Sequence, residues 1–123
     1  MAVSVTSSGV SNPFTVRAID ISDLEHTGLN DFVSSSTTVY TLDLDNSANG
    51  AITYFKLYDS TSPTYGTTQP SLIVQVAAST RTVWTIAQGL ALSSGFSVMA
   101  STDDGEGNAG APGSAFNASV VCT

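Results

Sequence analysis

Short runs of alternating polarity, Gly and Pro breaks at roughly even spacing, and the lack of any amphipathic helical stretch predict an all-β chain. The expected architecture is a single antiparallel β-sandwich, jelly-roll- or Ig-like, of about 7–8 strands with an extended N-terminal segment. A chain of 123 residues is the size of one domain. By surface scaling it buries roughly two-thirds of its unfolded surface, enough for a core without disulfides or metals. Residues 1–12 are expected to form the arm or an edge strand, and 13–123 the sandwich.

Residues 2–6 (AVSVT) alternate weakly. Residues 14–21 (FTVRAIDI) alternate clearly, with Phe14, Val16 and Ala18 on one face, continued by Asp20. Residues 22–37 have no period and read as a long loop. In 38–45 (TVYTLDLD), Tyr40, Leu42 and Leu44 point one way, and Val39, Thr41, Asp43 and Asp45 the other. In 51–58 (AITYFKLY), Phe55 and Leu57 oppose Tyr54, Lys56 and Tyr58. Between these two runs, Asn46-Ser47-Ala48-Asn49-Gly50 reads as a hairpin turn, because Asn-Gly readily takes positive φ. After a turn-rich loop at 59–70 come strands at 71–77 and 81–87, joined by Ala78-Ser79-Thr80. Residues 88–95 read as a connector, and the last strands are 96–102 and 115–122, around a Gly-rich loop at 103–114.

The composition excludes several functions. Apolar residues make up 41% of the chain, which argues against disorder, while charged residues are only 11% against a usual share of about 25%. Such a nearly uncharged surface suits a chain in lasting contact with neighbours or one outside the cell. Arg17, Lys56 and Arg81 are too few and too scattered to neutralise phosphates, so no nucleic acid is expected. A net charge of −7 repels anionic membranes and favours neutral or basic partner surfaces. No stretch approaches the ~20 apolar residues of a membrane helix. Met1-Ala2-Val3-Ser4 does not resemble a secretory leader, so a soluble product not exported by the usual route is expected. Cys122 stands alone between Val121 and Thr123, which suits a buried thiol rather than a disulfide.

No constellation carries chemistry. His26 is the only histidine, and no GxSxG motif surrounds a serine. Asp43, Asp45 and Asp59 surround the predicted turn, but a short chain with one Trp has little room for the cleft a two-carboxylate glycosidase needs. Asp103-Asp104-Gly105-Glu106-Gly107-Asn108 lacks the ligand spacing and flanking helices of a calcium loop, and zinc has no ligand set. Asn117-Ala118-Ser119 matches a glycosylation sequon, but it falls inside a predicted strand. The chain is therefore expected to have no catalytic residue, no cofactor and no metal.

The run Asp45-Asn46-Ser47-Ala48-Asn49-Gly50 followed by Tyr54-Phe55-Lys56-Leu57-Tyr58-Asp59 resembles small virion-associated proteins of tailed bacteriophages, cyanophages especially. The resemblance continues through Gly66-Thr67-Thr68-Gln69-Pro70, Arg81-Thr82-Val83-Trp84 and Gly89-Leu90-Ala91-Leu92-Ser93-Ser94-Gly95-Phe96, covering roughly residues 39–100. It implies a β-sandwich with a structural role on the virion and no enzymatic activity. The leading expectation is a capsid decoration (cement) protein, made in the host cytoplasm and bound to the major capsid protein or other virion proteins as a dimer or trimer. A tail, neck or fibre component is the alternative, and a carbohydrate- or receptor-binding module the second. Candidate contact residues are Val3, Val5, Val10 and Phe14 in the N-terminal stretch, the loop residue Tyr65, and Trp84, for which core and contact both remain open.

Overall fold

A computed structural model describes residues 2–7, 16–33 and 35–123. They form nine strands: β1 (Ala2–Ser7), β2 (Arg17–Ser22), β3 (Leu29–Val33), β4 (Thr37–Asp45), β5 (Thr53–Tyr58), β6 (Leu72–Val76), β7 (Arg81–Leu92), β8 (Phe96–Ser101) and β9 (Asn117–Cys122). A five-stranded sheet runs in the order β1-β2-β9-β4-β7 and a four-stranded sheet in the order β3-β8-β5-β6, with every pairing antiparallel.

The pairings are nested. β5 pairs with β6, β4 with β7, β3 with β8 and β2 with β9, as if one long hairpin with its tip between β5 and β6 had been rolled up. The seams β4–β9 and β5–β8 close the roll. That connectivity is a jelly roll, two Greek keys in two sheets, with β1 added at one edge.

Between the sheets lies one core. Ile19 and Ile21 of β2, Leu42 and Leu44 of β4, and Ala118, Val120 and Cys122 of β9 come from one side. Phe55 and Leu57 of β5, Val74 and Val76 of β6, and Phe96, Val98 and Ala100 of β8 come from the other. Phe116, in the loop before β9, stacks on Phe55 with ring centroids 6.5 Å apart. Each such side chain taken from water contributes about 1.5–3 kcal/mol, which drives the two sheets together.

Five sequence readings are corrected. In 14–21 the buried residues are Ile19 and Ile21, and Asp20 is exposed. The opposite phase would bury a carboxylate and leave two isoleucines in water. In 38–45, Tyr40 is an extra residue: Val39 stands opposite Cys122 and Thr41 opposite Val121. This one-residue bulge returns Val39 to the core face together with Leu42 and Leu44. The segment 22–37 contains β3, and 88–95 is no connector, since β7 runs on to Leu92. In 51–58 the faces are as the alternation predicts, with Lys56 and Tyr58 opposite Phe55 and Leu57 and just as buried.

The fifth correction concerns the Asn-Gly turn. β4 and β5 lie in different sheets, so residues 46–52 form an arch over the end of the sandwich and not a hairpin. Gly50 does not take positive φ. Asn46, fully buried, aims its Nδ2 at the carbonyl oxygens of Ala51, Val76 and Ala77 at 3.0–3.3 Å. Asn49 donates to Ala115 O and accepts from Ser114 N. The two asparagines supply ladder-like hydrogen bonds where the chain leaves one sheet for the other, satisfying backbone groups that burial would otherwise strand.

Candidate functional site

β7 is rich in β-branched residues (RTVWTIAQGLAL), which fit a pleated surface, and it closes one edge of the five-stranded sheet. On one side it pairs with β4; on the other, no strand of the described residues follows. Residues 81–85 match 45–41 one for one: Arg81 with Asp45, Val83 with Asp43, Trp84 with Leu42, Thr85 with Thr41. Residues 86–89 then bulge against Tyr40 alone, before Leu90 meets Val39. Gly89 makes the bulge possible. Its φ is +77°, and a Cβ there would come within 2.3 Å of Thr38 Cγ2.

Val83 is 59% exposed and Trp84 47% exposed. Their pairing partners fix their directions: Val83 shares the outer face with Asp43, and Trp84 shares the inner face with Leu42. Trp84 is therefore not a core residue, although it faces the core side, because it stands on the last strand. Beside them, the Arg81 guanidinium grips Asp43 through two hydrogen bonds, Nε–Oδ1 at 2.7 Å and Nη2–Oδ2 at 2.5 Å. The Arg81 bonds and charge hold the Asp43 carboxyl below its usual range, while Asp43 in turn raises the pKa of Arg81. Hydrogen bonds from Ser47 lower Asp45.

The outer face of this sheet holds a shallow groove of about 300 Å³ lined by Val3, Asp20, Asp43, Asp45, Arg81 and Ser119 among others, with no aromatic ring. Asp20 accepts from Ser119 Oγ at 2.7 Å. Among the described residues, no three His, Cys, Asp or Glu converge as metal ligands, and no helix is long and apolar enough to cross a membrane.

The four-stranded sheet is different: loops cover the outer face of β5 and β8. Lys56, wholly buried, donates its Nζ to Gly107 O at 2.5 Å and to Ser101 Oγ at 3.2 Å, beneath the loop between β8 and β9. Burial pushes the Lys56 ammonium below its ordinary pKa, against the charges of Asp103 and Asp104. Tyr58 is covered by Tyr65, whose ring meets it edge-on with centroids 5.2 Å apart, and burial lifts the Tyr58 hydroxyl to about 12.

The candidate contact residues do not converge. Tyr65 is engaged within the chain: its ring lies over Gly28, where a Cβ would come within 2.2 Å, and its hydroxyl donates to Asn30 Oδ1 at 2.5 Å. Val3 is 41% exposed on β1, at the sheet edge opposite Trp84. Val5 stands opposite Ile19 in the β1–β2 register. Val10 and Phe14 lie outside the described residues. Val83 was overlooked, although two consecutive large apolar residues in an acid-free alternating run were a signal: they cannot both face one core.

Comparison with protein-family models, curated proteins and solved structures returns no match.

Proposed function

We propose that this chain is a non-enzymatic structural protein that joins a larger protein assembly through the free β7 edge. The observation that carries the reading is the pair Val83 and Trp84, both exposed and on opposite faces of one edge strand. A strand of 12 residues with one charge, no Pro and no Lys lacks most of the devices that keep sheet edges from accepting a neighbour. A strand added there gains main-chain hydrogen bonds for affinity and covers both side chains.

The assembly proposed is the outer shell of a tailed-phage head, with this chain as a decoration protein stabilising the major capsid protein. The resemblance over residues 39–100 supports that placement, and the low surface charge fits it. Jelly rolls serve viral capsid domains and lectins alike, so the fold adds analogy only. The lectin reading finds no favouring observation in a groove without aromatic residues.

Quantitative mass spectrometry of virus particles purified from the source tests the proposal. Copies in the hundreds per particle are the expected result. A count in the tens or below moves the chain to tail, neck or fibre, and absence from particles overturns the virion reading. Val83→Lys, at a site 59% exposed, is expected to leave the fold intact and to weaken particle binding at least tenfold.

A further inference from the structure

We infer that the β7 edge joins two copies of this chain into a two-fold dimer, residues 81–85 of each running antiparallel with Val83 opposite Val83 of the second copy. The inference rests on the reading of β7 as a docking edge and names its occupant. Because Val83 and Trp84 point to opposite faces, a surface laid on either face of the sheet would cover only one of them. A strand laid alongside covers both.

A second copy fits the geometry of this edge in one register only. The straight part of β7 is bounded by the Ala78-Ser79-Thr80 turn on one side and the 86–89 bulge on the other, leaving five residues. A two-fold axis perpendicular to the sheet keeps outer face with outer face, so opposed residues are separated by even numbers. Centring the axis on Thr82 sets Trp84 against Thr80 in the turn, and centring it on Trp84 sets Arg81 against Ala87 in the bulge. Only the axis at Val83 pairs all five. Arg81 then faces Thr85 of the second copy, and Thr82 faces Trp84 of the second copy.

Charge agrees with this arrangement. A chain of net charge −7 repels its own copies over most of its surface. β7 carries no acid, and its one cation, Arg81, is already matched by Asp43. No like charges are opposed within the paired strands. The remaining repulsion is long-range, and salt screens it over about 8 Å at physiological ionic strength. Five residues a side, against the 20–30 of a standard interface, make a reversible pair that salt strengthens. Held on a multivalent shell, such a pair gains from high effective concentration.

The full-length chain with Val83→Cys provides the test. Directly opposed residues of an antiparallel pair have Cα atoms about 4.5–5.5 Å apart, within the span a disulfide bridges, and the buried Cys122 does not compete. On mild oxidation, Val83→Cys is expected to cross-link to dimer at concentrations where Gln75→Cys, exposed on β6, stays monomeric. Sedimentation equilibrium of the unmodified chain is expected to show a mass rising toward two copies with concentration and with added salt, and Val83→Lys to abolish the rise. If Val83→Cys cross-links no more than Gln75→Cys and the unmodified chain stays monomeric, self-pairing is overturned. Should Val83→Lys nonetheless strip the chain from particles, a foreign strand occupies β7 and the docking edge survives. Should particle binding also be unaffected, the docking edge falls as well.

Discussion

The two sheets solve the same problem on their inner faces and differ on their outer ones. In the four-stranded sheet, β5 and β8 are buried on both sides: Phe55, Leu57, Val98 and Ala100 inward, and Lys56, Tyr58, Met99 and Ser101 outward under the long loops. In the five-stranded sheet, β9 alternates buried Ala118, Val120 and Cys122 with half-buried Asn117, Ser119 and Val121. Loops have already occupied one outer face, so the chain's own packing ends there. What the described residues leave for a neighbour is the outer face of the five-stranded sheet and its β7 edge. Stability and binding are thus assigned to different sheets, and substitutions separate them.

The largest expected effect is Tyr58→Ala. Tyr58 is 1% exposed on the covered face, and removing its ring leaves a cavity beneath Tyr65, costing about 3–5 kcal/mol in chemical denaturation. Val83→Ala on the uncovered sheet is expected to stay within about 0.5 kcal/mol. Equal costs would erase the contrast between the sheets. Tyr58→Phe sharpens it. The buried Tyr58 hydroxyl has no hydrogen-bond partner among the described residues, so deleting it is expected to be neutral or stabilising by up to about 1 kcal/mol. A clear loss of stability would mean the hydroxyl is satisfied after all.

Next comes Lys56→Met, expected to cost about 1–3 kcal/mol by removing the ammonium that donates to both Gly107 O and Ser101 Oγ, which leaves Ser101 Oγ as the remaining donor to Gly107 O. Its signature is the pH profile. Burial lowers the folded pKa of Lys56 below 10.5, so between those values the unfolded chain binds more protons and stability rises with pH. Tyr58 and Tyr65 act oppositely. Burial raises both hydroxyls from 10.0 to about 12, so from pH 10 upward the unfolded chain loses protons first and stability falls. Urea midpoints of the parent chain should therefore rise toward pH ~10 and then drop. Lys56→Met should lose the rise and keep the drop; a retained rise would show that another group causes it.

The same contrast explains what could be read before the structure. Period-two alternation located eight of the strands, because an apolar core on one side and water on the other writes itself into every second residue. It misled where that condition failed. Alternation placed Lys56 and Tyr58 opposite Phe55 and Leu57 but carried no sign that they are buried too, because the loop that covers them is distant in sequence. Val39 was assigned outward because nothing local announces the Tyr40 bulge, which exists only relative to β9. The Asn-Gly turn suggested a hairpin because local turn chemistry cannot distinguish a return within one sheet from a crossing to the other. That choice is made by Ala51, Val76, Ala77 and Ala115, whose carbonyls the two asparagines reach. Trp84 stayed ambiguous because alternation reports a residue's face but not its distance from the sheet edge.

The smallest expected effect lies on the uncovered face. Asp43→Asn removes the carboxylate held by Arg81, a surface pair in which Arg81 is exposed and Asp43 half-buried, with side-chain exposures of 61% and 24%. Solvent and salt screen such pairs, so the melting midpoint near pH 7 should hardly move. The sign is still testable. Because Asp43 titrates below its ordinary 3.8 in the folded chain, its small contribution is fully present above that pH and disappears as the pH falls through the folded value. Parent and variant curves should therefore converge in acid and differ slightly, if measurably, at neutral pH in low salt. A neutral-pH loss as large as that of Lys56→Met would mean that Arg81 and Asp43 brace the β7 edge, and that the uncovered sheet contributes to stability as well as to docking.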